Sequence, residues 1–147
     1  MARTAAQRSP LRIFFAVAMI IGIEAVVAAP RISDAIKHYR LNSVAVEVWQ
    51  DIHRARLMAI KEKQTIRVDF DQDSYRITRV TTGEVTLTRH LTREYPEISL
   101  AVSGGREGIV FDRAGATEGD SREIEITGPA GKRSFTILAT GVIGSLP

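Results

Sequence analysis

Hydrophobic and polar positions divide the chain into three successive patterns. Residues 13–29, IFFAVAMIIGIEAVVAA, are almost wholly apolar, carry a single acid at Glu24, and are closed by Pro30. Residues 31–63 then contain no glycine and no further proline. Within them Leu41, Ala45, Val48, Ile52, Ala55 and Ala59 recur at steps of three and four, the spacing of one face of an α-helix. From Gln64 the period falls to two, with Ile66, Val68 and Phe70 alternating as in a half-buried strand.

These patterns predict one helix from Leu11 to Lys63, roughly 80 Å long at ~1.5 Å per residue, followed by seven or eight short strands. The strands are expected at 65–70, 75–80, 84–90, 98–102, 109–111, 123–127 and 134–139, with 142–143 as a last short piece. Turn signals separate them at Thr82-Gly83, at Gly128-Pro129-Ala130-Gly131 and at Gly141. Connections this short suit antiparallel meanders. The alanines of the 45–59 portion allow close approach, so that portion is expected on the chain's own sheet. The part around Ile36 and Leu41 is expected to face partner helices. Glu47, Gln50, Asp51, Arg54 and Lys61 fall mostly off the apolar face, and Asp51 and Arg54, three apart, are placed to pair weakly. His38 and His53 are expected on the helix surface.

Composition narrows this picture only a little. At 147 residues the chain is one domain plus at most one appended segment. Hydrophobic content of 44% and charged content of 25% are ordinary for a folded chain. The formal net charge of +3 comes from interleaved acids and bases, which does not argue for nucleic acid. With no cysteine, disulfides, thiolate metal sites and cysteine nucleophiles are excluded.

The apolar run has three readings: a cleaved secretory signal, a buried core helix, or a membrane span. It is long for a signal core, and Pro30 directly after Ala28-Ala29 is a poor start for a mature chain. A span needs roughly 17–25 apolar residues, and Arg3, Arg8 and Arg12 on its N-terminal side favour a cytoplasmic N-terminus with the rest exported. The membrane anchor is therefore the reading adopted. Glu24 is costly at that depth. Either it pairs with a basic group on a neighbouring subunit, or it sits near the outer interface and snorkels.

Constellations that would carry chemistry are weak. Asp69, Asp71 and Asp73 alternate as at the start of a calcium loop, but Ser74 stands where the glycine belongs and Val80 where the final glutamate belongs. A solvated turn accounts for them. His38, His53 and His90 are scattered without a second ligand at metal spacing, and nothing selects a nucleophile, base and acid. The glycine-rich Gly104, Gly105, Arg106, Glu107, Gly108 stretch lacks the helix that a phosphate cradle needs. Arg89, Arg93, Arg106, Arg113, Lys132 and Arg133 alternate with Glu84, Glu94, Glu97, Glu107 and Asp112, a mixed solvated surface rather than a nucleic-acid face. No enzyme, cofactor or metal is expected.

Taken together, the pieces resemble the type IV pilin-like proteins, and specifically the H-type minor pseudopilins (GspH) and the FimT-like group. The resemblance rests on Ile20-Ile21-Gly22-Ile23 followed by Ala28-Ala29-Pro30, then on Ala55-Arg56-Leu57-Met58-Ala59-Ile60-Lys61, similar to the family's A-R-x-x-A-I-K helix end. Ile109-Val110-Phe111-Asp112-Arg113-Ala114-Gly115 resembles its F-x-x-x-G turn, and 123–127, 135–139 and Thr140-Gly141 its closing hairpin. Two departures stand out. Counting back from Pro30 puts the family's leader cleavage between Arg8 and Ser9 and its glutamate at Ile13, yet the glycine, phenylalanine and glutamate of that site are all missing. The chain also ends Gly141-Val142-Ile143-Gly144-Ser145-Leu146-Pro147, without the arginines that FimT-like DNA receptors carry after the last glycine.

The resemblance implies an α+β, pilin-like fold: a long N-terminal helix, transmembrane in its first half, packed on a small antiparallel β-sandwich head. The expected organisation is a basic cytoplasmic tail (1–12), a transmembrane and filament-packing helix (13–30), an amphipathic helix (31–63) and a β-rich periplasmic head (64–147). The implied function is a structural, non-enzymatic subunit of a type II secretion or type IV pilus-like assembly in the inner membrane. Its membrane and assembly residues are Ile13, Phe14, Phe15, Ile20, Ile21, Gly22, Glu24 and Pro30. Partners implied are other pilin or pseudopilin subunits and inner-membrane lipid. A prepilin peptidase would act at Arg8 and Ser9 only on a degenerate site, and the same residues leave N-methylation without support. The alternatives are a FimT-like DNA-binding minor pilin and a membrane-anchored domain that does not polymerise.

Overall fold

The computed structural model describes residues 10–103 and 108–146, with side chains from 33 onward except those of Thr92 and Glu94. Helix α1 runs from Pro10 to Glu62, against the expected 11–63. The chain forms two compact units, residues 1–36 and residues 37–147. In the first, the described element is the opening part of α1. Glu24 and the other apolar-run positions lie in it, but their side chains are outside the described residues, as are Arg8 and Ser9 altogether.

The second unit holds the rest of α1 and seven strands: β1 (Ile66–Phe70), β2 (Ser74–Arg79), β3 (Val85–His90), β4 (Ser99–Val102), β5 (Ile109–Phe111), β6 (Arg122–Gly128) and β7 (Gly131–Ile137). A four-residue helix, α2 (Leu91–Glu94), interrupts them between β3 and β4. The strands make two antiparallel sheets, ordered β3-β2-β1-β5 and β4-β6-β7. This is the expected fold, a helix followed by an antiparallel sandwich. The short β6–β7 turn pairs Gly128 with Gly131 across Pro129 and Ala130, where turn residues were read.

The helix stripe supplies the core. Leu41, Ala45, Val48, Ile52, Ala55 and Ala59 are all buried, and Val44 joins them. They cluster with Ile66, Val68, Tyr75 and Ile77 of the first sheet and Leu100, Ile124, Ile126, Phe135 and Ile137 of the second. Burying a side chain of Val or Ile size stabilises by about 1.5–3 kcal/mol, and three alanines among the six let the backbone come close. Leu41 corrects the expectation that its stretch faces partner helices: it is 2% exposed and packs at Gly128. Ile36 and Tyr39, one turn earlier, are exposed.

Other differences have local causes. β3 is an edge strand, so Val85 is exposed and Leu87 only half-buried, although they alternate as a core face would. A register shift between Ile77 and Thr78 contributes to that. Residues 142–143 make no strand, only a bridge from Ile143 to Ile137. β7 starts three residues earlier than expected because the tight turn lets pairing begin at once. α1 stops at Lys63, which takes the left-handed conformation (φ 53°) with the Gln64 amide donating back to the Ala59 carbonyl at 3.2 Å.

Candidate functional site

The assembly residues expected at 13–30 lie on α1, but their side chains are outside the described residues, and among the residues that are described no helix is long and apolar enough to cross a membrane. What the described residues contain is the apparatus that fixes α1 to the sheets, and it has two parts on two flanks of the helix.

On one flank lies a polar latch. Asp51, expected off the apolar face, is 4% exposed. The Tyr75 hydroxyl of β2 donates to its carboxylate at 2.7 Å, and the Arg89 Nε of β3 does so at 3.4 Å. Arg89 reaches on to Glu47 at 3.2 Å, and Arg54 sits 3.6 Å from Asp51. Burial pushes the Tyr75 phenol well above its ordinary range, and the hydrogen bond to Asp51 adds to that. The phenol therefore stays a donor throughout the physiological range. A buried carboxylate without such donors would cost several kcal/mol. The sequence signal was present but slight: Asp51 follows Val48 by three and precedes Ala55 by four, which puts it at the margin of the buried stripe rather than opposite it.

The other flank carries Trp49, His53, Arg56 and Ile60, spaced four, three and four, and it clasps the loops that close the fold. Arg56 Nε donates to the Gly115 carbonyl at 3.0 Å. Gly115 ends a turn in which the Asp112 carboxylate accepts from the Ala114 and Ala116 amides at 2.9 and 2.8 Å. Its φ of +79° suits glycine, and a Cβ there would come within 2.6 Å of Ile60 Cδ1. Gly141 (φ +77°) lies directly on Gly115, where a Cβ would overlap the Gly115 carbonyl oxygen. Further on, the Trp49 indole donates to the Gly144 carbonyl at 2.8 Å.

Thus the structure brings three of the quoted sequence motifs together: the helix end at 55–61, the turn at 111–115 and Gly141. Trp49 and Gly144 had no sequence signal, being 95 positions apart. His53, expected on the surface, is half-buried and packs against Trp49 with ring centroids 4.2 Å apart.

The remaining candidates stay dispersed. Arg79 on β2 joins Glu62 at the end of α1 (2.8 Å) and Glu84 before β3 (2.8 Å). Asp69 and Asp71 line a shallow hollow of about 230 Å³ between β1, β2 and β3, with Arg76 3.9 Å from Asp69. Asp71, Gln72 and Asp73 form the exposed β1–β2 turn. Among the described residues no three metal-ligating side chains converge. Of the bases expected on a mixed solvated surface, Arg89 is engaged by Glu47 and Asp51, and Lys132 by Glu125 at 2.8 Å. The geometry is one of fastening, built to hold a helix against a sandwich.

Comparison with known proteins agrees with that geometry. The family model for type II transport protein GspH matches residues 45–141, from the core stripe to the second glycine of the clasp. Among solved structures, the Pseudomonas aeruginosa type IV minor pilin FimU in one crystal form superposes with a TM-score of 0.61 at 19% identity, covering 76% of this chain and 95% of that one. In a second crystal form FimU gives 0.57 at 19% identity, covering 72% and 91%. At such identity the likeness is one of fold. A comparison with curated protein sequences returns no match.

Proposed function

The chain belongs to the GspH family of type II transport proteins, and from that premise we propose that it is a structural, non-enzymatic minor pseudopilin subunit of a type II secretion or type IV pilus-like assembly. The observation that carries this reading is the family match across residues 45–141 on a fold shared with a type IV minor pilin. Family and fold are those of structural pilins, and membership implies contact with other pilin-like subunits.

In this reading residues 1–12 are a cytoplasmic tail and residues 13–30 hold the chain in the inner membrane, touching lipid first and other subunits' helices once assembled. Residues 31–63 carry the helix out, and residues 64–147 are the periplasmic head. Ile13, Phe14, Phe15, Ile20, Ile21, Gly22 and Pro30 supply apolar packing, and Glu24 sets register against neighbouring subunits, since a carboxylate at that depth needs a partner. The engagement of Arg89 and Lys132 with acids supports this reading over a DNA-capturing one.

Crosslinking in membranes followed by identification of co-purified proteins tests it. Pseudopilins or pilins are expected in the crosslinked product of the intact chain, and Glu24→Leu is expected to reduce that product. Recovery of the chain uncrosslinked to any such subunit would instead favour a membrane-anchored domain that does not polymerise. Intact mass in the same preparation reports whether a cut occurs between Arg8 and Ser9.

A further inference from the structure

His53 occupies the middle of the clasp. Trp49, one turn before, is tied to Gly144, and Arg56, one turn after, is tied to Gly115, on which Gly141 rests. Between them the imidazole lies against the indole, the two planes inclined by 59°. Its Nε2 is buried and has no hydrogen-bond partner among the described residues. A neutral imidazole carries an N–H donor at only one nitrogen, whereas the imidazolium carries two N–H donors. Charging the ring in place would bury an unpaired donor, which is unfavourable, and more so for a charged group.

We propose that His53 is a pH-sensitive pin: neutral, it is wedged beside Trp49 and keeps residues 138–146 fastened to α1, and protonated, it leaves its place and that closing segment loosens. The charged groups on the elements that shut this flank are Arg56 on α1 and Asp112 and Arg113 on the turn, while Arg54 sits at Asp51 on the opposite flank. The segment 138–146 carries none. The Asp112 carboxylate is taken by the Ala114 and Ala116 amides, and among the described residues no carboxylate pairs with His53. Nothing on this flank rewards a positive ring.

Burial first, and the Arg56 charge second, accordingly hold protonation of His53 below its ordinary value of 6.5. The sign follows from linkage. The loosened form binds the proton near the ordinary value and the fastened form only below it. Fastening is therefore complete above 6.5 and is lost as pH falls through the depressed value.

The experiment uses the full chain in detergent micelles. Trp49 is its only tryptophan, so fluorescence reads the ring beside His53 directly. A fluorescence transition with its midpoint below 6.5 is expected, absent from His53→Gln. Amide hydrogen exchange of residues 138–146, compared between wild type and His53→Gln at the same pH, is expected to match at pH 7.5. At pH 5 the wild type should exchange faster, by about tenfold for each unit by which the two forms differ in proton affinity. A His38→Gln, His90→Gln double variant keeps both histidines out of the signal and should retain the transition, whether or not His53→Gln folds. Loss of the transition in that double variant, a midpoint at or above 6.5, or equal exchange of wild type and His53→Gln at pH 5 would each overturn the proposal.

Discussion

The two flanks of α1 do the same work by different physics. The latch around Asp51 is side chain to side chain and charged, closing a buried carboxylate with a phenol and a guanidinium. The clasp from Trp49 to Ile60 is side chain to backbone, and two glycines make it possible by letting Gly141 rest on Gly115. A latch of the first kind is held by a few kcal/mol of desolvated polar pairing and can be exchanged for other polar or apolar solutions. A clasp of the second kind is steric. It leaves no room for a side chain at Gly141, where a Cβ would meet the Gly115 backbone, so failure there displaces backbone rather than weakening a bond.

The largest effect should therefore come from the clasp. Gly141→Ala puts a Cβ onto the Gly115 carbonyl and asks alanine to hold φ near +77°. We expect a loss of more than about 3 kcal/mol, from overpacking and left-handed strain combined, read as the urea midpoint of the detergent-solubilised chain. A loss under about 1 kcal/mol would mean that the two loops separate freely, and the steric account would be wrong.

The latch ranks next. Asp51→Ala should cost about 2–4 kcal/mol, since it strands the buried Tyr75 hydroxyl and leaves Arg89 with Glu47 alone. Tyr75→Phe should cost less, about 1–2 kcal/mol, and the double variant should show coupling of roughly 0.5–3 kcal/mol. Additive single effects would show that Asp51 and Tyr75 do not depend on one another.

This difference also decides what could be read from the sequence. The fold was legible because the stripe from Leu41 to Ala59 and the alternations at Ile66–Phe70 and Ile124–Ile126 obey helix and strand periods directly. The clasp was half legible. Arg56, Gly115 and Gly141 each stood in a recognisable motif, yet no pattern said that a carbonyl at Gly115 would receive the Arg56 guanidinium. The latch was not legible, because a lone aspartate at the margin of an apolar stripe looks like any solvated helix residue until Tyr75 and Arg89 arrive from other strands. Leu41 was misplaced for a related reason. Its partner Gly128 ends β6, beside a turn that periodicity cannot locate in space.

Arg56→Met tests the charged contribution within the clasp itself. It keeps the aliphatic length and removes the donor to Gly115. A loss of about 1–2 kcal/mol is expected from one partly exposed, charge-assisted hydrogen bond, well below that of Gly141→Ala. If the two variants cost the same, the hydrogen bond and not the glycine contact governs the clasp, and the contrast between the flanks narrows.

The smallest effect belongs to the ion pair at the end of α1, where Arg79 donates to Glu62 with both groups partly exposed, at 21% and 29%. The hydrogen bond from Arg79 holds the Glu62 carboxyl below its ordinary value of 4.5, against a lesser opposing effect of burial. A group whose folded value is depressed stabilises the fold above its unfolded value, and that contribution is lost as pH falls through the folded one. The window therefore opens at about 4.5 and runs downward, whereas that of His53 opens at 6.5. Melting temperature measured from pH 7 to pH 3 should fall less steeply below 4.5 in Glu62→Gln than in the wild type. Because surface pairs are screened by salt, 0.5 M NaCl should erase most of that difference while leaving the coupling of Asp51 to Tyr75 nearly unchanged. Equal salt sensitivity of the two would place the Asp51 latch at the surface with Glu62 and remove the distinction that its burial was taken to make.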